Sequence, residues 1–140
     1  MYERSSTTQA WGVAILRVVV GIVFLVHGAQ KLFVIGVPGV AAFLGDLGVP
    51  FPTLSAIVVS GVEFLGGLAI LLGLFTPWAA GLLAIDMAVA LLTVHLRGGF
   101  FVPEGFEFVL TLLAACLALV CLGSGALSLD TVLARSRRQP

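Results

Sequence analysis

The stretch at residues 11–33, WGVAILRVVVGIVFLVHGAQKLF, decides the fold of this chain. A helix rises about 1.5 Å per residue, so this one would extend about 34 Å, slightly more than a hydrocarbon core of about 30 Å. Arg17 interrupts the apolar residues and no small-residue cleavage site follows. The stretch is therefore predicted to be a retained transmembrane helix rather than a signal peptide.

The composition places the whole chain in a membrane. Of its 140 residues, 60% are hydrophobic and 10% are charged, and the mean hydropathy is +1.19. Soluble domains carry about 25% charged residues, so a soluble globule is excluded. The seven basic and seven acidic residues cancel, which predicts no nucleic-acid partner and leaves membrane lipid as the expected surroundings.

Four apolar runs predict the architecture. The expected spans are residues 11–33, 54–74, 78–96 and 106–122, flanked by a tail at 1–10 and a tail at 123–140. The glycine- and proline-rich residues 34–53 are predicted to form a loop, with a short amphipathic helix at VAAFLGDL. The fold class is thus an all-α integral membrane protein with an antiparallel four-transmembrane-helix bundle.

Basic residues near the span ends predict the orientation. Arg4, Arg135, Arg137 and Arg138 fall on one side, whereas Lys31 and Arg97 fall on the other. The positive-inside rule then places both termini in the cytoplasm and the two longer loops outside.

The ionisable residues within the spans fall on helix edges that also carry small residues. On a helical wheel, Arg17, Gly21, Gly28 and Lys31 lie within about 80° of one another, with His27 beside them. Because charged side chains facing lipid cost several kcal/mol, these edges are expected to face the bundle interior.

Depth along the helices predicts which charges pair. Arg17 and Asp86 are expected to be structural buried charges that bond to each other, with Glu63 within reach. Lys31 or His27 is expected to pair with Glu107. Such pairs can simply fix helix register, so for Arg17 and Asp86 a purely structural role and a functional role are supported equally.

A second group suggests ligand binding. His27, Gln30, Lys31, Glu63 and Glu107 are the candidate ligand-binding residues, because they combine an imidazole, an amide, a cation and carboxylates towards one end of the bundle. This chemistry suits the carbonyl or hydroxyl head of a quinone and the exchange of protons with it. No individual catalytic residue is assigned.

Other cofactors are not predicted. Cys116 and Cys121 are too far apart on one helix for an unstrained disulfide, and there is no C-x-x-C pair. The two cysteines and two histidines are scattered, so no metal or haem site is expected. No glycine-rich phosphate loop follows a strand, so no nucleotide cofactor is expected.

Four stretches of the chain resemble the DoxX family of small four-helix membrane proteins. They are LRVVVGIVFLVHGAQKLF, SGVEFLGGLAILLGLFTPWAA, AAFLGDLGVP and HLRGGFFVPEGFEFVLTLLAA. The resemblance covers about residues 16–129. The family's motif positions fall on His27, Gly28, Lys31, Glu63, Gly66, Gly67, Gly99, Phe100 and Glu107.

This resemblance implies a redox setting. Members include a subunit of a thiosulfate:quinone oxidoreductase, quinone-stress proteins, and a membrane partner of superoxide dismutase and a sulfurtransferase. It implies a multi-pass protein of a bacterial or archaeal cytoplasmic membrane, working with other protein subunits or as a homo-oligomer. The expected function is a redox-linked subunit that binds a quinone-like molecule. The alternatives are a non-catalytic scaffold of a larger complex and a small carrier for a hydrophobic solute.

Overall fold

The computed structural model describes residues 2–137, with side chains from residue 6 onward, and regular structure in this range is entirely helical. Six α-helices are connected by turns and by short helical segments of other types. They are α1 (Tyr2–Ala29), α2 (Gly36–Asp46), α3 (Pro52–Leu72), α4 (Thr76–Ala90), α5 (Glu107–Leu122) and α6 (Leu129–Ser136). A π-helical turn, Gln30–Ile35, follows α1, and a second, Leu91–His95, follows α4.

The predicted class of membrane helical bundle is confirmed. Three helical runs are long and apolar enough to cross a bilayer: Ser6–Asp46, Pro52–Leu72 and Thr76–Gly98. The fourth apolar helix, α5, is shorter at 16 residues. The cytoplasmic location of the termini stays a prediction, and Arg138 and the side chain of Arg4, on which it partly depends, lie outside what the structure describes.

The prediction of a loop over residues 34–53 was wrong for most of its length, although the short helix expected within it is present. Gly36, with φ of 77°, breaks the path of the chain after the π-helical turn, and α2 begins there. Pro38 falls in the first turn of α2, where its missing N–H costs no helical hydrogen bond. Val40 and Leu44 are buried in a small cluster with Ala56 of α3.

Both predicted tails contain helix. Residues 2–10 are the first part of α1, and the segment after α5 returns to the bundle and ends in α6. The amide of Ala126 donates to the carbonyl of Ala10 at 3.0 Å, so the two chain termini lie at the same end. We call this the terminal end of the bundle, and the opposite end, which carries α2 and the loop before α5, the distal end.

The four long helices pack in the cyclic order α1, α3, α4 and α5. The α1–α3 interface is the most extensive and the α1–α5 interface the least. A continuous apolar core runs between the helices, with these residues among its fully buried members: Phe24, Ile70, Ala80, Leu83, Cys116 and Leu119.

Glycines allow α1 and α3 to approach closely. A Cβ atom at Gly28 would overlap the backbone of Phe64, and one at Gly67 would overlap the backbone of Leu25. Gly21 lies equally close to the backbone of Leu71. Small residues at such positions allow van der Waals contact between backbones, which is a main attraction between helices in lipid.

This close approach predicts opposite effects for the same substitution at two positions of α3. Gly67→Ala should destabilise the protein by about 1–3 kcal/mol, because the added methyl overlaps the backbone of α1. Gly61→Ala is the matched control, since a Cβ there meets nothing within 4 Å. Alanine should leave stability there unchanged or raise it by about 0.5–1 kcal/mol. Thermal unfolding in detergent measures both, and equal midpoints would contradict the packing described.

Candidate functional site

An ion pair lies inside the bundle, in the half nearer the distal end. Lys31 Nζ donates to Glu63 Oε1 at 2.6 Å, and the Glu63 side chain is 4% exposed while that of Lys31 is 27% exposed. It is the one salt bridge among the described side chains. The pair connects the end of the first span with the middle of the second.

Two further groups complete a cluster that draws on every long helix. Asp86 of α4 lies close enough to Glu63 and Lys31 to interact electrostatically with both. The buried thiol of Cys116, from α5, lies within electrostatic range of Asp86. We call Lys31, Glu63, Asp86 and Cys116 the polar centre. Its formal charges are one ammonium against two carboxylates when all three groups are ionised.

Several oxygens in this region have unused hydrogen-bonding capacity. Glu63 Oε2, Asp86 Oδ2 and Ser60 Oγ are buried and have no hydrogen-bond partner within the protein. Ser60 lies one turn before Glu63 on α3. Burying a polar atom without a partner costs on the order of 2 kcal/mol or more. The polar centre can therefore bond to a proton, a water molecule or the polar head of a ligand.

The position of Lys31 depends on a local departure from α-helix. Lys31 lies in the π-helical turn Gln30–Ile35, where the wider turn changes the direction of side chains relative to the α1 wheel. Turns of this kind are rare in proteins, and those that occur are often found at functional sites. A second one, Leu91–His95, lies on the third span towards the same end.

His27 and Gln30 face outward, contrary to the expected inward direction of this edge. Both side chains are exposed. The His27 ring lies 6.2 Å from the Phe108 ring, measured between centroids, where α1 meets α5. We call this place the α1–α5 seam. At this seam α1 and α5 pack against each other less extensively than the other neighbouring helices do.

The predicted pairing of Lys31 or His27 with Glu107 was wrong. Glu107 Oε1 accepts the backbone N–H of Val102 at 2.8 Å, because the carboxylate turns back over the preceding loop. The amide of Phe106 donates to Gly99, and that of Glu107 donates to Phe100. These hydrogen bonds close the loop at residues 99–106, which we call the distal loop. Glu107 thus holds this loop and does not join the polar centre.

The predicted pairing of Arg17 with Asp86 was also wrong. Nη1 of Arg17 donates to the carbonyls of Ile70 at 3.0 Å and Leu71 at 2.6 Å. Nη2 donates to Ala126 at 3.3 Å and Leu127 at 3.0 Å. Arg17 is 2% exposed and lies beside the carboxyl end of α3. The last carbonyls of a helix lack intrahelical partners and attract a cation. The guanidinium of Arg17 therefore bonds to these carbonyls and not to Asp86.

Asp130 is a residue whose role the sequence reasoning missed. Its carboxylate accepts the N–H groups of Phe75 at 2.8 Å and Thr76 at 3.1 Å, at the start of α4. Ser128 begins α6 by accepting the N–H of Thr131. A serine followed two residues later by an aspartate is typical of a helix start, so this signal could have indicated α6 within the predicted tail, but it does not indicate which other helix Asp130 caps.

The bundle and the polar centre define a class: a small helical membrane protein with ionisable side chains buried between its spans. The DoxX family model matches residues 12–96. This chain belongs to the DoxX family, as its motifs indicated.

Three relatives cover most of the chain. A Bacillus subtilis protein named "Putative oxidoreductase CatD" is 34% identical over 127 residues, 91% of this chain and 90% of that protein. An uncharacterised membrane protein of Mycobacterium tuberculosis is 36% identical over 131 residues, 86% of this chain and 80% of its own. "Inner membrane protein YphA" of Escherichia coli is 30% identical over 122 residues, 83% and 86% of the two chains. No solved structure matches significantly.

The ion pair predicts a large effect of Lys31→Met. This substitution leaves the buried Glu63 carboxylate without its cation, which typically costs about 3–5 kcal/mol. The double variant Lys31→Met/Glu63→Gln should recover part of the loss, because no unpaired charge remains. Thermal unfolding in detergent measures all three proteins. A single variant as stable as the wild type would contradict a buried pair.

The carbonyl contacts of Arg17 predict that Arg17→Met loosens the terminal end. The four carbonyls lose their donor, which should destabilise the protein by about 3 kcal/mol. Hydrogen exchange should rise at the amides of Ala126 and Asp130. Arg97→Met is the control, since Arg97 is exposed at the distal end. Asp86→Asn should leave these amides protected; faster exchange there would restore the rejected Arg17–Asp86 pair.

Proposed function

We propose that this protein is a redox-linked membrane subunit that binds a quinone-like molecule at the α1–α5 seam. The observation that carries the proposal is the polar centre itself. A partly buried lysine and two carboxyl groups, with carboxyl oxygens left unpartnered, are costly within a membrane and typically mark a site of chemistry.

The α1–α5 seam gives the ligand a route from the bilayer. A quinone is dissolved among lipid tails, so its site must open sideways to them. His27 is exposed at the seam and its ring is tilted by 41° against that of Phe108, which offers a hydrogen-bonding imidazole beside an aromatic surface. Gln30, also exposed, supplies an amide three residues further on, at the start of the π-helical turn.

The polar centre supplies the proton chemistry. Reduction of a bound quinone takes up two electrons and two protons, and the electrons must come from a donor protein or donor molecule. His27 and Lys31 are four residues apart, and the π-helical turn directs Lys31 to Glu63 while His27 stays exposed at the seam. We propose that a proton passes between the exposed imidazole and the Glu63–Asp86 carboxyl pair, with Lys31 balancing the charge. Glu107 takes an indirect part by holding the distal loop.

The redox assignment has independent support in the name of one relative. The Bacillus subtilis protein carries an oxidoreductase name, and it covers nearly the whole of this chain. The alternative of a non-catalytic scaffold, and that of a carrier for a hydrophobic solute, predict no dependence of quinone binding on the seam.

The test is quinone binding to the purified protein in nanodiscs. Wild type should bind a water-soluble ubiquinone analogue saturably, and His27→Ala should weaken binding about tenfold, which corresponds to the loss of one hydrogen bond of about 1.4 kcal/mol. Glu63→Gln should lower the rate of quinone reduction by a chemical donor more than it weakens binding. His95→Ala is the matched control, because His95 lies on the third span away from the seam.

Each outcome of the binding experiment supports a different one of the three functions: quinone-binding subunit, scaffold or carrier. Saturable binding that is weakened by His27→Ala and unaffected by His95→Ala supports the seam. No saturable binding in wild type would overturn the proposal in favour of a scaffold. Uptake of a labelled hydrophobic solute into vesicles without any electron donor would favour a carrier.

A further inference from the structure

α6 is an amphipathic helix whose polar face, rather than its apolar face, packs against the bundle. Its polar residues face the bundle: Asp130 accepts two N–H groups of the α3–α4 turn, and Thr131 is half-buried beside Ser128. Its apolar residues face away from the protein, with Val132 61% exposed and Leu133 44% exposed. In water this orientation of the apolar face of α6 would be unfavourable, because about two large aliphatic side chains per turn would contact solvent.

The level of α6 along the bundle axis shows what surrounds that apolar face. α6 begins beside Phe75 and Thr76, at the start of α4, and its last turn lies beside Trp11 of α1. Trp11, Phe75 and Trp78 are all exposed at this level. Exposed tryptophans in a membrane protein concentrate where the hydrocarbon meets the headgroups. α6 therefore lies in the interface, with Leu129, Val132 and Leu133 directed towards acyl chains.

A cleft between α1 and α6 adds a place for a headgroup. It has a volume of about 460 Å³ and is lined by residues that include Ser6, Thr7, Trp11, Leu127, Thr131 and Arg135. One wall offers hydroxyl groups and a guanidinium, and the other an indole and an exposed leucine. This combination matches a phosphate joined to hydrocarbon, because a guanidinium binds phosphate oxygens strongly and the apolar wall accepts a chain.

The charge around the cleft favours an anionic lipid. Arg135 also lines a second cleft of about 350 Å³, and Arg137, two residues further along the chain, is exposed. Among the side chains that the structure describes, the one carboxylate lining these two clefts is that of Asp130, and both of its oxygens accept backbone N–H groups. Each basic side chain near an anionic membrane surface contributes about 1 kcal/mol of attraction.

We propose that the cleft between α1 and α6 is a binding site for an anionic phospholipid, whose phosphate bonds to Arg135 and whose acyl chain follows Trp11 and Leu127. Bound lipid fixes α6 in the interface. Because Asp130 of α6 caps α4 and the segment before α6 supplies carbonyls to Arg17, the lipid also stabilises the terminal end of the bundle. The site is independent of the polar centre and of quinone binding.

Lipid retention tests the headgroup contact. Purified full-length protein is titrated with phosphatidylglycerol in detergent, and bound lipid is counted by native mass spectrometry. Wild type should retain phosphatidylglycerol several-fold more than phosphatidylcholine, and Arg135→Gln should reduce this retention about tenfold. Arg97→Gln, the same change at an exposed arginine of the distal end, should retain lipid like the wild type. Equal retention by Arg135→Gln and wild type, or by the two lipids, would overturn the site. Displacement by an equal concentration of inorganic phosphate would assign the cleft to a soluble anion instead.

Spin-label depth tests the surroundings of α6. In a Cys121→Ser background, with Cys116 left in place because it is buried, labels are attached at Leu133→Cys or, as the matched control, at Ala134→Cys. In phosphatidylglycerol nanodiscs the label at position 133 should be more accessible to oxygen than to a water-soluble nickel reagent, and the label at 134 should show the reverse preference. Water accessibility at 133 would overturn the interfacial position. Dipolar broadening between copies would show that a second copy of the chain covers this face, which also overturns it.

Discussion

The close approach of α1 and α3 is the constraint on which the rest of the structure depends. Gly28 and Gly67 bring the two backbones into contact, and no side chain other than hydrogen fits at either position without movement. In lipid, where apolar surfaces gain little by meeting each other, this backbone contact supplies much of the attraction between the helices. It also determines which side chains of α1 can reach α3.

The two cations of the first span, Arg17 and Lys31, find different partners on α3 because of this interface. At the terminal end Arg17 reaches the final carbonyls of α3, whose partial negative charge is spread over several oxygens. Towards the distal end Lys31 faces the middle of α3, where every carbonyl is used within the helix, and it therefore bonds to a carboxylate. A delocalised, planar guanidinium suits several carbonyls, whereas a compact ammonium suits one carboxylate.

The two ends of the bundle consequently differ in character. At the terminal end Arg17, Ser128 and Asp130 satisfy helix ends, while Arg17 Nε and Thr76 Oγ1 are buried without a partner. The polar centre retains oxygens without partners. Buried atoms without partners thus occur in both places, but among the described residues those of carboxyl groups belong to the polar centre. This difference is why chemistry is proposed for the polar centre and lipid binding for the terminal end.

The sequence by itself determined the membrane class, the apolar helices, the small-residue edges and the family, because hydropathy and helical period are local properties of the chain. It also found Lys31 and Glu63 as candidate residues. Only the tertiary structure decided the partners. Arg17 bonds to carbonyls, which every residue possesses and no sequence pattern marks, and Glu107 turns to its own loop. The π-helical turn at Gln30–Ile35 shifts Lys31 from the position that a regular wheel gives it, while His27 and Gln30 remain exposed. A turn of this kind depends on packing between helices, so local sequence could not predict it.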